Sequence, residues 1–295
     1  MHFAFLNIDK PAGVTSRVVV DRVARLVGGT KVGHCGTLDP LATGVLVLAM
    51  GPATRLASFV QRMPKQYTAT FLLGRESATD DIEGEVTLRG DDPVPSTGEI
   101  VAALPRFTGA IEQRPPVYSA VKVRGRRAYR AARAGETLDL KARTVHVYRL
   151  ELVRYEYPEL TLAIECGGGT YVRSLGRDLA STLGTAAAMS ALVRSGVGSF
   201  RLEAACKLAD LNAGNLAQHL LPPATALGAL PKLLVSEAEA RRLRSGLSID
   251  RDSSVGDGEV AALDAAHELV AILSCRGEKT LAPTCTFPSA RNAAK

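Results

Sequence analysis

The chain has 295 residues, 46% of them hydrophobic and 22% charged; that is enough to bury a sizeable core without disulfide or metal staples, and it reads as one large domain plus a small one. No apolar run approaches the ~20 residues of a membrane span, and Met1-His2-Phe3-Ala4-Phe5-Leu6-Asn7 has no charged leader, so the expectation is a cytoplasmic protein without a signal peptide. The net charge of +6 is unevenly spread: residues 101–150 hold eleven Lys/Arg against three Asp/Glu, while residues 201–295 balance at eleven each. A local excess larger than the charge of the whole chain favours a segment that meets a polyanion over an ordinary solvated face.

In chain order, Phe3 to Asp9 reads as a strand turned by Pro11-Ala12-Gly13. A helix starts about Ser16, taken as its cap, carries Val19, Val23, Leu26 and Val27, and stops at Gly28-Gly29. Val45 to Met50 is a buried-strand run. Leu56, Phe59, Val60 and Met63 repeat at helical spacing, Tyr67 to Leu73 is β-rich, and Asp80 to Asp92 is acidic and turn-like. Ile100 to Leu104 is helical and ends early at Pro105. Arg114-Pro115-Pro116 cannot sit inside a regular element, and the basic stretch behind it, to Leu140, reads as a long insertion. Val145–Tyr155 and Leu160–Cys166 are strands; Gly167-Gly168-Gly169 leads into a helix carrying Val172, Leu175, Leu179 and Leu183. After a linker with Pro222, Pro223 and Pro231, the tail offers one helix (Glu237–Arg244) and short strands at Val260–Leu263, Leu269–Leu273 and near Thr286. Strands and helices mix without regular β-α-β alternation, which predicts an α+β fold with much antiparallel pairing and a small, mostly β module at the end.

Walker loops, GxGxxG after a strand, GxSxG and HExxH are all missing, which lowers the case for nucleotide hydrolysis, dinucleotide redox and zinc hydrolysis. The five cysteines are scattered, without metal or redox spacing, and read as reduced filler. What stands out is Gly33-His34-Cys35-Gly36-Thr37-Leu38-Asp39-Pro40-Leu41-Ala42-Thr43-Gly44: one Asp and one His framed by three glycines and a proline, just before a buried strand. Pro40 pushes Asp39 out of the α region. Taken alone, Asp39 capping a turn is the plain alternative.

That string resembles the catalytic motif of the TruB family of tRNA pseudouridine synthases. Further segments match in order: Asn7-Ile8-Asp9-Lys10-Pro11-Ala12-Gly13-Val14-Thr15-Ser16, Lys65-Gln66-Tyr67-Thr68-Ala69, Thr79-Asp80-Asp81-Ile82-Glu83-Gly84, Arg114-Pro115-Pro116-Val117-Tyr118-Ser119-Ala120-Val121-Lys122, Gly168-Gly169-Thr170-Tyr171-Val172-Arg173-Ser174-Leu175 and Leu192-Val193-Arg194. Together they span about residues 5 to 200. The resemblance implies a pseudouridine-synthase fold with a mixed, largely antiparallel central sheet in residues 1–225, an RNA-gripping thumb at about 114–141, and a PUA-like module at 232–290. It implies isomerisation of the T-loop uridine of tRNA, position 55, by base flipping, with no cofactor and no metal.

By the same resemblance Asp39, Tyr67 and Arg173 are catalytic. Arg173 would hold the Asp39 pKa down and would itself be held by Asp81. Tyr67 would stack on the uracil and serve as the base for the C5 proton. His34, Tyr171, Leu192 and Lys10 would serve binding: His34 as a wedge, Tyr171 and Leu192 as lining, Lys10 as a loop buttress or phosphate contact. Arg114, Lys122, Arg124, Arg126, Arg127, Arg130 and Arg133 would meet RNA phosphates. The expected partner is the tRNA T-arm, with no membrane, no protein partner and a monomeric state. Rival readings are an RNA-binding tRNA-folding chaperone, a guide-dependent relative acting on ribosomal RNA, and a nucleosidase using one Asp; Gly167 to Thr170 could also cradle a phosphate at a helix N-terminus.

Overall fold

A computed structural model of the chain describes residues 2–116, 140–228, 230–250, 256, 258–277 and 280–289, and the strand backbone of 122–123 and 126–127. β1 (Ala4–Lys10) pairs antiparallel with β3 (Thr43–Met50), and β2 (Val32–His34) pairs with the other edge region of β3. β4 (Lys65–Leu73) is followed by a small hairpin, β5 (Arg75–Ser77) and β6 (Val86–Leu88), the second strand of which falls in the Asp80 to Asp92 stretch expected to be turn-like. β7 (Gly109–Gln113), the short pair β8 (Lys122–Val123) and β9 (Arg126–Arg127), β10 (Arg143–Glu156) and β11 (Glu159–Cys166) come next. β12 (Ala187–Val197) is followed by the short strands β13 (Phe200–Arg201), β14 (Cys206–Lys207) and β15 (Leu220–Leu221). The large sheet runs β14-β1-β3-β12-β4-β11-β10-β7. Its centre is mixed: β3 and β12 are parallel, while β12, β4, β11, β10 and β7 pair antiparallel in turn.

The strand period of two sorts this sheet's side chains onto two cores. Leu6, Ile8, Leu46, Leu48, Phe71 and Leu162 face helices α1 (Ser16–Leu26), α3 (Thr97–Ala103) and α4 (Val172–Thr182). Phe5, Val45, Val47 and Ala49 face the other way, onto α2 (Ala57–Arg62) and the C-terminal sheet. The cap of α1 is Thr15, whose hydroxyl accepts from the Val18 amide, and not Ser16. Ser16 is the first helical residue and its hydroxyl is taken by Leu38 instead. Pro105 is the second residue of a 3-10 turn, Leu104–Phe107, that follows α3.

The C-terminal sheet, ordered β16-β18-β19-β20-β17, is built from β16 (Lys232–Leu234), β17 (Ile249–Asp250), β18 (Val260–Leu263), β19 (Leu269–Cys275) and β20 (Thr280–Thr286). Its helix α5 (Glu237–Arg244) opens on a capping box, Ser236 and Glu239 each satisfying the other's backbone N–H. The sheet packs on the large one through Ala261, Leu263, Leu269, Ile272 and Phe287. Phe287 stacks on Phe3 at 5.2 Å with the Arg55 guanidinium over its ring, and Arg62 pairs with Glu259 at 2.7 Å. Two sheets sharing one apolar layer should unfold together. Phe287→Ala is therefore expected to cost about 3 kcal/mol, read as a lower urea midpoint; an unchanged midpoint would show that this contact holds nothing.

Candidate active site

A cavity of about 350 Å3 opens where β3 and β12 run side by side, lined among others by Leu38, Asp39, Lys65, Tyr67, Tyr171, Arg173, Leu192 and Arg194. Its size suits a small planar ligand. Each wall comes from a different element. Asp39 lies on the loop that enters β3, Tyr67 is on β4, and Leu192 and Arg194 are on β12, with Arg194 opposite Tyr67 in register. Arg173 sits in the first turn of α4, which approaches the sheet closely because residue 176 is glycine: a Cβ there would lie 2.0 Å from the Phe71 ring.

The Asp39 loop has few ladder partners for its backbone groups, and buried side chains supply them. Lys10 is fully buried and donates to three carbonyls: Pro11 at 2.9 Å, Val14 at 2.7 Å and Pro40 at 3.1 Å. Ser16 Oγ both donates to Leu38 O (3.0 Å) and accepts from Leu38 N (2.9 Å). Arg194 donates to Val45 O (2.7 Å), Gly36 O (3.1 Å) and Thr37 O (3.4 Å). Gly44 lets β3 meet β12 here: its φ is +94°, and a Cβ would lie 2.4 Å from Arg194 O.

Arg173 is shared. Its Nε is 3.1 Å from Asp39 Oδ2, while its Nη1 donates to Asp81 Oδ2 at 2.9 Å and to Thr79 O at 2.7 Å. Asp81 is itself fixed by the Thr79 hydroxyl (2.6 Å) and the Glu83 amide (3.1 Å). Asp81 and Arg173 are almost wholly buried, whereas the Asp39 side chain keeps 34% of its surface open to the cavity. Burial pushes the Asp39 carboxyl above its ordinary value; Arg173 pulls it down, Asp81 pushes it up, and Lys10 and Arg194 pull it down. The expected cation is in place, but desolvation outweighs it. Burial also raises the Tyr67 phenol, which Arg194 opposes by charge and by a hydrogen bond.

Residues 24–172 match the TruB family pseudouridylate synthase, N terminal domain. This chain belongs to that family. It is 42% identical over 286 residues to tRNA pseudouridine synthase B of Dehalococcoides mccartyi, covering 96% of this chain and 95% of that one. It is 42% identical to the protein of the same name in Thermobifida fusca, over 87% and 92% of the two chains. Among solved structures it is similar to a Cbf5-Nop10-Gar1 complex, with a TM-score of 0.75 and 26% identity over 97% of this chain and 84% of that one. It is also similar to an H/ACA RNP bound to a substrate RNA containing 2'-deoxyuridine, with a TM-score of 0.74 and 25% identity over 97% and 86%.

The structure of this TruB-family chain brings Asp39, Tyr67, Tyr171, Arg173 and Leu192 to one cavity. Asp81 stands behind Arg173 as expected. One expectation narrows. Lys10 is not at a surface where phosphate could reach it; it is a buttress, with all its protons on carbonyls and its pKa lowered to about 8 by burial. His34, expected as a wedge and not as lining, lies on β2 opposite Leu48, and its neighbour Cys35 lines the cavity with a thiol pushed up to about 12 by burial. Arg114 is exposed, and its carbonyl accepts from Arg177 at 3.1 Å. Arg124, Arg130 and Arg133 lie outside the described residues; Lys122, Arg126 and Arg127 are described only as strand backbone. Arg194 and Lys65 carried no assigned role in the sequence. Lys65 lines the cavity, donates to the carbonyls of Gln61 and Met63, and is lowered to about 8 by burial.

A carboxyl raised above its unfolded value of roughly 3.9 holds its proton more tightly when folded, so ionising it costs stability. That cost is absent below the unfolded pKa and complete once pH passes the folded one. Asp39→Asn is therefore expected to melt at or above the temperature of the unaltered chain at pH 7, with the difference shrinking towards a pH of roughly 4. A clearly lower melting temperature at pH 7 would contradict this.

Proposed function

We propose that the chain converts the T-loop uridine of tRNA, position 55, to pseudouridine, with Asp39 as the single carboxylate acting at the sugar. The observation that carries this is one half-open carboxylate, held by a buried arginine, at the floor of a cavity walled by Tyr67 and Leu192. The tRNA pseudouridine synthase B names of relatives covering most of the chain support the substrate class. The proposed division is a catalytic unit of residues 1–225 and a C-terminal PUA-like unit of residues 232–290.

The reaction breaks the N1–C1′ bond, turns the uracil, joins C5 to C1′ and releases the C5 proton while N1 gains one. No group is gained from outside, so the chemistry itself asks for no cofactor. Charge develops at C1′ as the glycosidic bond weakens, and a carboxylate beside it stabilises that charge or bonds to the carbon. A glycosidase needs a second carboxyl to activate water; here the base returns to the same sugar and the second group is unnecessary. The target must leave the RNA stack, at roughly a few kcal/mol, and Tyr67 offers the ring to receive it. Burial keeps Tyr67 a neutral phenol at rest, which suits a stacking platform with a hydrogen-bonding hydroxyl more than a standing phenolate base. The basic segment after Arg114 would meet phosphates, positioning the RNA without reading its sequence.

The test is to incubate an unmodified tRNA transcript with the protein and map pseudouridine by position. Conversion is expected at the T-loop uridine, with Asp39→Asn slowed by roughly a thousandfold or more. The acid limb of the single-turnover rate is expected above the ordinary carboxylate value of about 3.9, because the ionised form is lost as pH falls through a raised pKa. An unmodified T-loop, or equal rates for Asp39→Asn, would overturn the proposal.

A further inference from the structure

The basic segment leaves the large sheet at the end of β7 and re-enters it at the start of β10, and its two roots, Gln113 and Arg143, face each other in register. Both roots touch residues that line the active-site cavity. Gln113 is buried, and its amide grips one residue on both sides: Nε2 donates to Tyr171 O at 3.0 Å, and Tyr171 N–H donates to Oε1 at 2.8 Å. Arg143 donates to Gly169 O at 2.5 Å and lies over the Tyr171 ring at 5.0 Å from its centroid. A third tie runs from Arg177, which donates to the carbonyl of Arg114 (3.1 Å) and pairs with Asp80 (2.8 Å), the neighbour of Asp81. The contacts end on residues 169, 171 and 177, on either side of Arg173.

Tyr171 is the N-cap residue of α4, and no side chain caps its helix. The first turn of a helix leaves backbone groups without partners, and its direction depends on what fixes them. Gln113 does this from another strand, 58 positions away. Space filling would not need both ends of an amide; Tyr171 O also accepts from Leu175 N at 3.1 Å, so removing the amide would leave the Tyr171 N–H without its partner. Arg143 fixes the loop before the cap, through Gly169, and the ring of the cap residue itself.

We propose that Gln113 and Arg143 are positioning residues for Arg173, holding the entry to α4 so that the guanidinium stays on Asp39. This rests on the reading of Asp39 and Arg173 as the reacting pair. It makes the roots of the RNA-gripping segment part of the support of the catalytic group. The groups coupled to Asp39 are Arg173 from α4, Asp81 and Glu83 from the acidic turn, Lys10 from β1, Arg194 from β12 and Tyr67 from β4; of these, Arg173 is the one these roots set.

The experiment is single-turnover pseudouridine formation on an unmodified tRNA transcript, measured against pH and RNA concentration, for Gln113→Leu, Arg143→Ala, Arg143→Lys and the double variant Gln113→Leu/Arg143→Ala. Gln113→Leu and Arg143→Ala are each expected to lose about ten- to hundredfold in the rate at saturation. Half-saturation should stay within about threefold. The acid limb should move to higher pH, because a displaced Arg173 lowers the Asp39 pKa less. Arg143→Lys should recover part of the loss, and the double variant should lose less than the product of the singles, since both act through Tyr171. A rise in half-saturation with unchanged maximal rate and acid limb would overturn the proposal, since it would mark the residues as RNA contacts. A rate loss that only tracks the folded fraction would also overturn it. If Gln113→Leu does not fold, Arg143→Ala decides by the same readouts. Asp39→Asn in the same assay separates the two levels. If it is dead while Gln113→Leu and Arg143→Ala keep native rate and acid limb, only the positioning role fails; if it is active, the reading of the site fails.

Discussion

One guanidinium between two carboxylates is the interaction on which the site depends. Arg173 touches Asp39 with Nε and Asp81 with Nη1, and all three are withdrawn from bulk solvent to different degrees. Arg173 divides its charge between the two acids, and although Lys10 and Arg194 add their attraction, burial still raises the Asp39 carboxyl. Asp81, fixed by Thr79 and Glu83, serves as the anchor. Asp39, with a third of its side chain open, is left as the group that can meet a reacting centre. A carboxylate whose charge is poorly compensated gains most when positive charge develops beside it, which is the condition for transition-state stabilisation.

The other buried cations of the site are used differently. Lys10, Lys65 and Arg194 bond backbone carbonyls, not carboxylates. The loop through Asp39 cannot be regular, since it must turn the carboxyl into the cavity, and its carbonyls would otherwise be buried without partners. The cations supply those partners, and both lysines pay with pKa values lowered to about 8. The same solution recurs at the α4 entry, where Gln113 and Arg143 satisfy Tyr171 and Gly169. The rigidity of this active site thus comes from side chains locking irregular backbone, on a sheet that brings three distant segments together.

Much of this was legible from the sequence where the signal is local. The helix Glu237–Arg244 and the strand Val260–Leu263 fall where the sequence reading puts them. Asp39, Tyr67, Arg173 and Asp81 were reached through motif resemblance, and the fold brings them together. What was not legible has a common cause. β12 is the strand at the centre of the site, yet Ala187, Ala188 and Met189 are buried in succession and two bulges interrupt it, so no period of two shows. Arg194, Lys65 and Gln113 have partners that are backbone atoms, and a sequence does not display where its carbonyls point. The downward pull of Arg173 on Asp39 was foreseen; the larger upward push of burial needs three dimensions to see.

The shared arginine is tested most directly by removing its other partner. In Asp81→Asn, Arg173 no longer divides its charge, and the repulsion that raises the Asp39 carboxyl is gone. The measurement is the pH dependence of single-turnover pseudouridine formation in this variant beside the unaltered protein. The account predicts an acid limb displaced to lower pH, whatever happens to the maximal rate. An acid limb that stays in place or moves to higher pH would contradict it.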